Sequence, residues 1–266
     1  MKKIGLILMC ALFVYADLNP KTEILYNDNG YEYELLQTNN ENLNIFLKNE
    51  LLNFCDTDLL QEEFMECYES IKNIDIKKYV QNLVKDMENA HKEEVKEQGF
   101  DFNSELSVRQ SFVSQIGDLV QIRQDSHQYA GGAHGMEYSQ VFVYDISSDH
   151  VLNISEILVS TETAFDALYD EIYKGYINFI STEWYPVNEK CNKACQDKEI
   201  KEFVEFFWDR NSKTDIIYNP AFYFSDDGLT FVYAPYAIAP YAAGMPEIVI
   251  PYENLKGIVK DEYLKF

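Results

Sequence analysis

Between residues 43 and 97 apolar side chains return at helical spacing. Leu43, Phe46, Leu47, Leu51 and Leu52 form one stripe. Phe64, Tyr68 and Ile71 form a second, and Ile76, Tyr79, Val80, Leu83 and Val84 a third. Asp and Glu fill the intervening positions, which predicts amphipathic helices with solvated acidic outer faces. Upstream the chain is polar, with one alternating piece, Tyr31 to Leu35, that reads as a strand. Near residue 107 the period drops to two. Val108–Val113 and Leu119–Arg123 flank Gly117-Asp118, a hairpin signal. Tyr138–Ile146 predicts a third strand, Val151-Leu152 a short one, and Ser155-Glu156 a brief helical turn.

Helical spacing resumes from Thr163 to Ser181, with Phe165, Leu168, Tyr169, Ile172, Tyr176, Phe179 and Ile180 on one side. Trp184 to Cys195 reads as a loop, and Lys198–Asp209 as a helix with Ile200, Phe203, Val204 and Phe207 inward. Phe222–Phe224 and Leu229–Tyr233 flank the turn Ser225-Asp-Asp-Gly228. A last strand, Glu247–Pro251, precedes a short helix over Tyr252–Val259. The pattern predicts an α+β fold of two joined lobes, each a mostly antiparallel sheet packed with helices. The joint falls near residue 155, giving units of 17–155 and 156–266.

The first sixteen residues read differently. Lys2 and Lys3, the apolar run Ile4 to Val14 and Val14-Tyr-Ala16 have the form of a cleaved export leader ending after Ala16. The run is too short to span a bilayer, which takes about 20 residues. Cys10 raises acylation as another reading, but Leu8-Met9 stands where small residues are wanted. These features predict a periplasmic or secreted protein without a membrane span. Twenty tyrosines and 17 phenylalanines supply ample core material, which excludes a disordered chain.

Charge narrows the partners. With 22 Lys+Arg against 45 Asp+Glu the chain carries −23. That surface repels nucleic acid and anionic polymers and attracts a basic partner. It also serves plain solubility. Cys55, Cys67, Cys191 and Cys195 remain after the leader, an even number that suits two disulfides. Three connectivities exist. The local one, Cys55 with Cys67 and Cys191 with Cys195, keeps each pair within one segment. A four-thiolate zinc site is the rival, without the usual Cys-x-x-Cys spacing.

No nucleophile elbow, Walker loop, dinucleotide glycine set or His-Glu-x-x-His is present, so no cofactor is expected and the chain reads as a non-enzyme. His127 and His134 with Asp125 or Glu137 match no standard metal spacing. Asp226-Asp227 sit on a turn and point apart, unlike paired glycosidase carboxylates. Two segments remain conspicuous. One is Tyr129-Ala-Gly-Gly-Ala-His-Gly135, where Gly131 and Gly132 permit positive φ and Gly135 closes the turn. His134 there either contacts a ligand or locks the turn through a backbone carbonyl. The other is Phe231 to Glu247, where Pro235, Pro240 and Pro246 stiffen the chain around Tyr236 and Tyr241. Those rings either form a binding platform or pack on the neighbouring lobe.

These segments, with Asn153–Leu158, Asp226–Leu229 and Gly244–Tyr252, resemble the extracytoplasmic domain pair of RsiV-type and PdaC-type bacterial proteins. The resemblance covers most of residues 25 to 260, with a PdaC-like N-terminal and an RsiV-like C-terminal unit. It implies a sensor or binding module: membrane-anchored anti-sigma relatives bind lysozyme, and deacetylase relatives carry a separate catalytic domain. The expectation is an exported, non-catalytic binding module for a basic, lysozyme-like protein or an envelope glycan, contacted through Tyr129, Gly131, Gly132, His134, Tyr236 and Tyr241. The alternative is a cell-wall glycan hydrolase or deacetylase-associated enzyme.

Overall fold

The computed structural model describes residues 18–55, 61–99 and 103–264. The leader expected over residues 1–16, Cys10 included, lies outside these. No described helix is long and apolar enough to cross a membrane.

Two strands open the described residues, β1 (Lys21–Asp28) and β2 (Tyr31–Gln37). They pair antiparallel across Asn29-Gly30, both at positive φ (53° and 83°), as a tight hairpin turn requires. Three helices follow: α1 (Glu41–Leu52), α2 (Gln61–Ile71) and α3 (Ile76–Gln98). Asn40 and Asp75 cap α1 and α3 by accepting the backbone N–H groups of Leu43 and Lys78. The helices return the chain to β3 (Ser104–Ile116), which lies parallel to β2. A parallel pair needs such a crossover. Next come β4 (Leu119–Ala130), β5 (Met136–Asp145) and the short β6 (His150–Val151), all antiparallel. The sheet order is β1-β2-β3-β4-β5-β6.

Register divides this sheet into two unlike faces. Tyr31, Tyr33 and Leu35 of β2, Val120 and Ile122 of β4 and Tyr144 of β5 share a core with Leu43, Phe46, Leu47, Val80 and Val84 of α1 and α3. Gln110 and Gln124 are buried on the same face and bonded to each other (2.8 Å); Gln110 also donates to Leu47 O (2.8 Å) and Gln124 to Glu50 O (3.2 Å). The opposite face carries Glu34, Arg109, Asp125 and Ser139 in one cross-strand row and Glu32, Ser107, His127 and Glu137 in the next.

The second half builds a smaller sheet. After α4 (Ile154–Ile157), α5 (Glu162–Phe179) runs on as a π-turn over Ile180–Trp184. Then α6 (Lys193–Phe203) runs on as a π-turn over Val204–Trp208, and α7 (Lys213–Tyr218) follows. Strands β7 (Ala221–Phe224), β8 (Gly228–Val232) and β9 (Glu247–Pro251) are antiparallel in that order. Helix α5 lies so close to β9 that a Cβ on Gly175 would stand 2.5 Å from Ile248 Cγ2. Tyr176 stacks on Trp208 at 4.3 Å and donates to Ile238 O at 2.8 Å.

This core reaches into the first sheet, taking in Leu119 of β4 and Val143 of β5. Gln121 of β4 is fully buried there; its amide donates to Phe224 O (2.8 Å) and accepts from Phe224 N–H (2.6 Å). The C-terminal lobe therefore covers the Leu119–Arg123 end of the polar face and leaves the other end open.

Several elements differ from the sequence reading. β1 is an added edge strand, too polar to show a period. β3 and β4 extend well beyond 108–113 and 119–123 because their outer halves lie on the open face, where polar residues alternate without a core to mark them. The segment read as a loop from Trp184 is shorter: the π-turn includes Trp184, and Asn192 starts α6 by accepting Cys195 N–H at 3.1 Å. The helix expected over Tyr252–Val259 is a 3₁₀ turn, Tyr252–Leu255, followed by Gly257 at φ 76°. Cys55 is bonded to Cys67 and Cys191 to Cys195 (Cα–Cα 5.8 and 5.2 Å).

Candidate functional site

Residues 129–135 join β4 to β5 at the open end of the large sheet. Gly131 and Gly132 take φ of 84° and 100°, conformations that a side chain rarely permits. Tyr129 closes the turn by donating its hydroxyl to Gly132 O at 3.0 Å. Gly135 serves for a different reason than turn geometry. A Cβ there would stand 2.5 Å from His127 Nε2 and 3.1 Å from Gln128 O. The His127 imidazole occupies that space.

The segment 234–246 arches over this turn. Pro235 and Pro240 fix its φ angles, and Pro240 leads into a 3₁₀ turn over Tyr241–Ala243. Tyr241 stacks on the His134 ring at 4.3 Å with 24° between planes, and its hydroxyl donates to Gly135 O. His134 donates from Nδ1 to the same carbonyl at 3.0 Å, which assigns the proton to that nitrogen. Tyr236 lies 5.6 Å from Tyr241 and is 49% exposed. Six residues named from sequence thus meet in one place: the glycine turn is the seat and the proline-stiffened segment the overhang. His134 is exposed yet bonded to a backbone carbonyl, and Tyr241 is half-buried against it.

Beneath the overhang lies a cleft of about 570 Å³. Its floor is the polar sheet face, with Asp125, His127, Glu137 and Ser139; Pro235, Tyr241 and Met245 form the overhanging wall. Ser139 Oγ is buried there with no hydrogen-bond partner among the described residues. Toward β1 a second hollow of about 430 Å³ continues the groove, sharing Ser107, Arg109 and His127 with the first. Arg109 is tied to Glu32 by an ion pair, which leaves Asp125 and Glu137 exposed on the floor. Burial, then the neighbouring Glu32, pushes the Glu34 carboxyl above the usual range, while Arg109 pulls it down. At the covered end Arg123 bonds Glu247 (2.9 Å), whose other oxygen accepts from Tyr223 (2.9 Å), so β9 is clamped to β4.

The sequence offers the floor residues His127, Asp125 and Glu137 only as a metal set without standard spacing, not as a cleft. The floor's side chains come from alternate positions of two strands, Asp125 with His127 and Glu137 with Ser139, which in sequence reads as an ordinary solvated face. Register puts His127 opposite Glu137 and Asp125 opposite Ser139, while His134 turns away toward Tyr241. Among the described residues no group of three His, Cys, Asp or Glu has metal-binding spacing. Asp226 and Asp227 lie in the bend before β8, away from this cleft.

Residues 157–253 match the family described as "Protein of unknown function (DUF3298)". Two solved structures share the fold over nearly the whole chain. A DUF3298 family protein from Pseudomonas aeruginosa PAO1 has a TM-score of 0.57 at 18% identity, covering 92% of this chain and 93% of its own. A member of the same family from Bacteroides fragilis NCTC 9343 has a TM-score of 0.55 at 20% identity, covering 94% and 96%. No curated protein matches the chain.

Proposed function

We propose that this protein is an exported, non-catalytic binding module that grips a basic protein at the cleft between the polar face of the large sheet and the arch over residues 234–246. One observation carries the reading: two segments about a hundred residues apart interlock through His134, Tyr241 and Gly135 O to hold a cleft open above the exposed carboxylates Asp125 and Glu137. A polar cleft walled by the Tyr241 ring suits recognition. The charge of −23 favours a basic partner over an anionic wall polymer. Two disulfides suit a periplasmic or secreted setting.

The resemblance to RsiV-type domains makes c-type lysozyme the first partner to test. Purified residues 17–266 are expected to bind hen egg-white lysozyme at low salt, with affinity falling as salt is added. The double variant Asp125→Asn, Glu137→Gln is expected to weaken binding and flatten that salt dependence. Absence of binding by the wild-type protein at low salt removes this partner.

A further inference from the structure

The C-terminal lobe displays a second surface that the cleft does not include. Phe206 is 64% exposed, the highest value among the large hydrophobic side chains described as exposed. A single exposed phenylalanine is unremarkable in a folded protein. This one belongs to a constructed ridge. Its ring meets Phe207 edge-on at 4.8 Å, and the Arg210 guanidinium lies over both rings, 5.6 Å from Phe206 and 5.4 Å from Phe207. The same guanidinium donates to Tyr236 O at 2.8 Å. Tyr236 in turn neighbours Tyr241 of the cleft.

The backbone of the ridge is unusual at both ends. Tyr236 has φ 67°, a left-handed conformation that a bulky side chain rarely adopts. Arg210 and Asn211 hold it there, through Tyr236 O and Ala237 O (3.2 Å). Phe206 sits in the π-turn Val204–Trp208, closed by Asp209 N–H to Val204 O at 3.1 Å. The wider turn leaves Phe206 outside while Trp208 is buried. Strained residues and π-turns both concentrate at functional sites. Here the two unusual segments are linked by one arginine.

We infer that this ridge, Phe206, Phe207, Arg210 and Tyr236, is the anchoring part of a protein interface continuous with the cleft, with Phe206 seated in an apolar pocket of the same basic partner. The inference rests on the binding reading above. Its composition is that of an interface centre, rich in aromatic rings and arginine. Its rim is charged, with the Lys201–Glu205 pair at 3.7 Å beside the exposed Asp209. A neutral glycan would gain nothing from the field of a chain carrying −23, whereas a basic protein is drawn in by it. A second copy of the chain, also at −23, would be repelled. A partner of opposite charge is drawn to the acidic cleft and brought over the ridge by the Tyr236–Tyr241 contact.

The test measures lysozyme binding kinetics for wild type, Phe206→Ala and Tyr236→Gly. Phe206→Ala removes an exposed ring, so Tm stays near wild type. Tyr236→Gly removes a ring and its contact with Tyr241 but relieves the left-handed strain, so Tm stays near wild type. Each variant is expected to lose about tenfold or more in affinity, chiefly through faster dissociation, with the salt slope unchanged. Wild-type affinity in Phe206→Ala overturns the ridge whatever Tyr236→Gly does, since Tyr236 also belongs to the arch, and leaves the cleft reading standing. No binding by wild type removes both. Binding of chitohexaose that Phe206→Ala abolishes reassigns the ridge to a neutral glycan and likewise overturns the inference.

Discussion

Gly135 and His127 contend for one small volume, and that contest shapes the turn. The glycine is required because the His127 ring fills the space a Cβ would take. Gly135→Ala is therefore expected to destabilise the fold by about 1–3 kcal/mol through overpacking. Adding His127→Ala is expected to recover most of that loss, measured by urea unfolding; a double variant no more stable than Gly135→Ala contradicts the steric account. The sequence displayed Gly131, Gly132 and Gly135 as one turn, but only the first two share a conformational reason. A steric need arising from a residue eight positions earlier leaves no trace in local pattern. His134 had two readings, and the structure places its Nδ1 on a backbone carbonyl. The solvent-facing side of the ring and of Tyr236 remains available for contact.

At the scale of elements, legibility followed burial. Strand β9 was read to its ends because its apolar positions alternate against a core. The open halves of β3 and β4 were missed for the opposite reason: both their period and their charge match a solvated face. The helix α7 went unread although Ser212 and Asp215 form its capping box. The π-turns insert one residue into the helical period, so the sequence shows the second as a helix running on to Asp209 and ends the first helix early, at Ser181. The connector into α4 has a testable electrostatic element. Glu156 accepts from Asn153 N–H (2.7 Å) and pairs with His150 (2.9 Å), and the backbone bond is the main cause holding its carboxyl below the usual range. A lowered acid contributes stability above its unfolded pKa and loses it as pH falls through the folded value. Glu156→Gln should lower Tm at neutral pH, with the gap to wild type closing as the buffer is taken below about pH 4. A gap independent of pH would show that the carboxylate charge is irrelevant there.

The whole molecule depends on how its lobes meet. Leu119 and Val143 of the large sheet lie in the C-terminal core, and Gln121 pairs both backbone groups of Phe224. Gln121→Ala leaves a buried donor and acceptor unpaired, an expected loss of about 2–4 kcal/mol with one cooperative transition retained. Two separate transitions in the wild-type protein would contradict lobes joined into one cooperative unit. The same junction positions the cleft, since the C-terminal lobe covers one end of the polar face and its arch overhangs the other. The α+β class and two-sheet plan were legible from the change of period along the chain. The contact between the lobes was not, because it rests on residues such as Gln121 whose burial depends on a strand a hundred positions away.

In the proposed function the turn at 129–135 and the arch at 234–246 act together as one gripping surface. Hydrogen–deuterium exchange of the protein with and without saturating hen lysozyme measures this most directly. Added protection is expected in peptides spanning residues 123–139 and 234–246, with the acidic outer face of α3 unchanged. Protection confined to α3, or found on one of the two segments without the other, would contradict it.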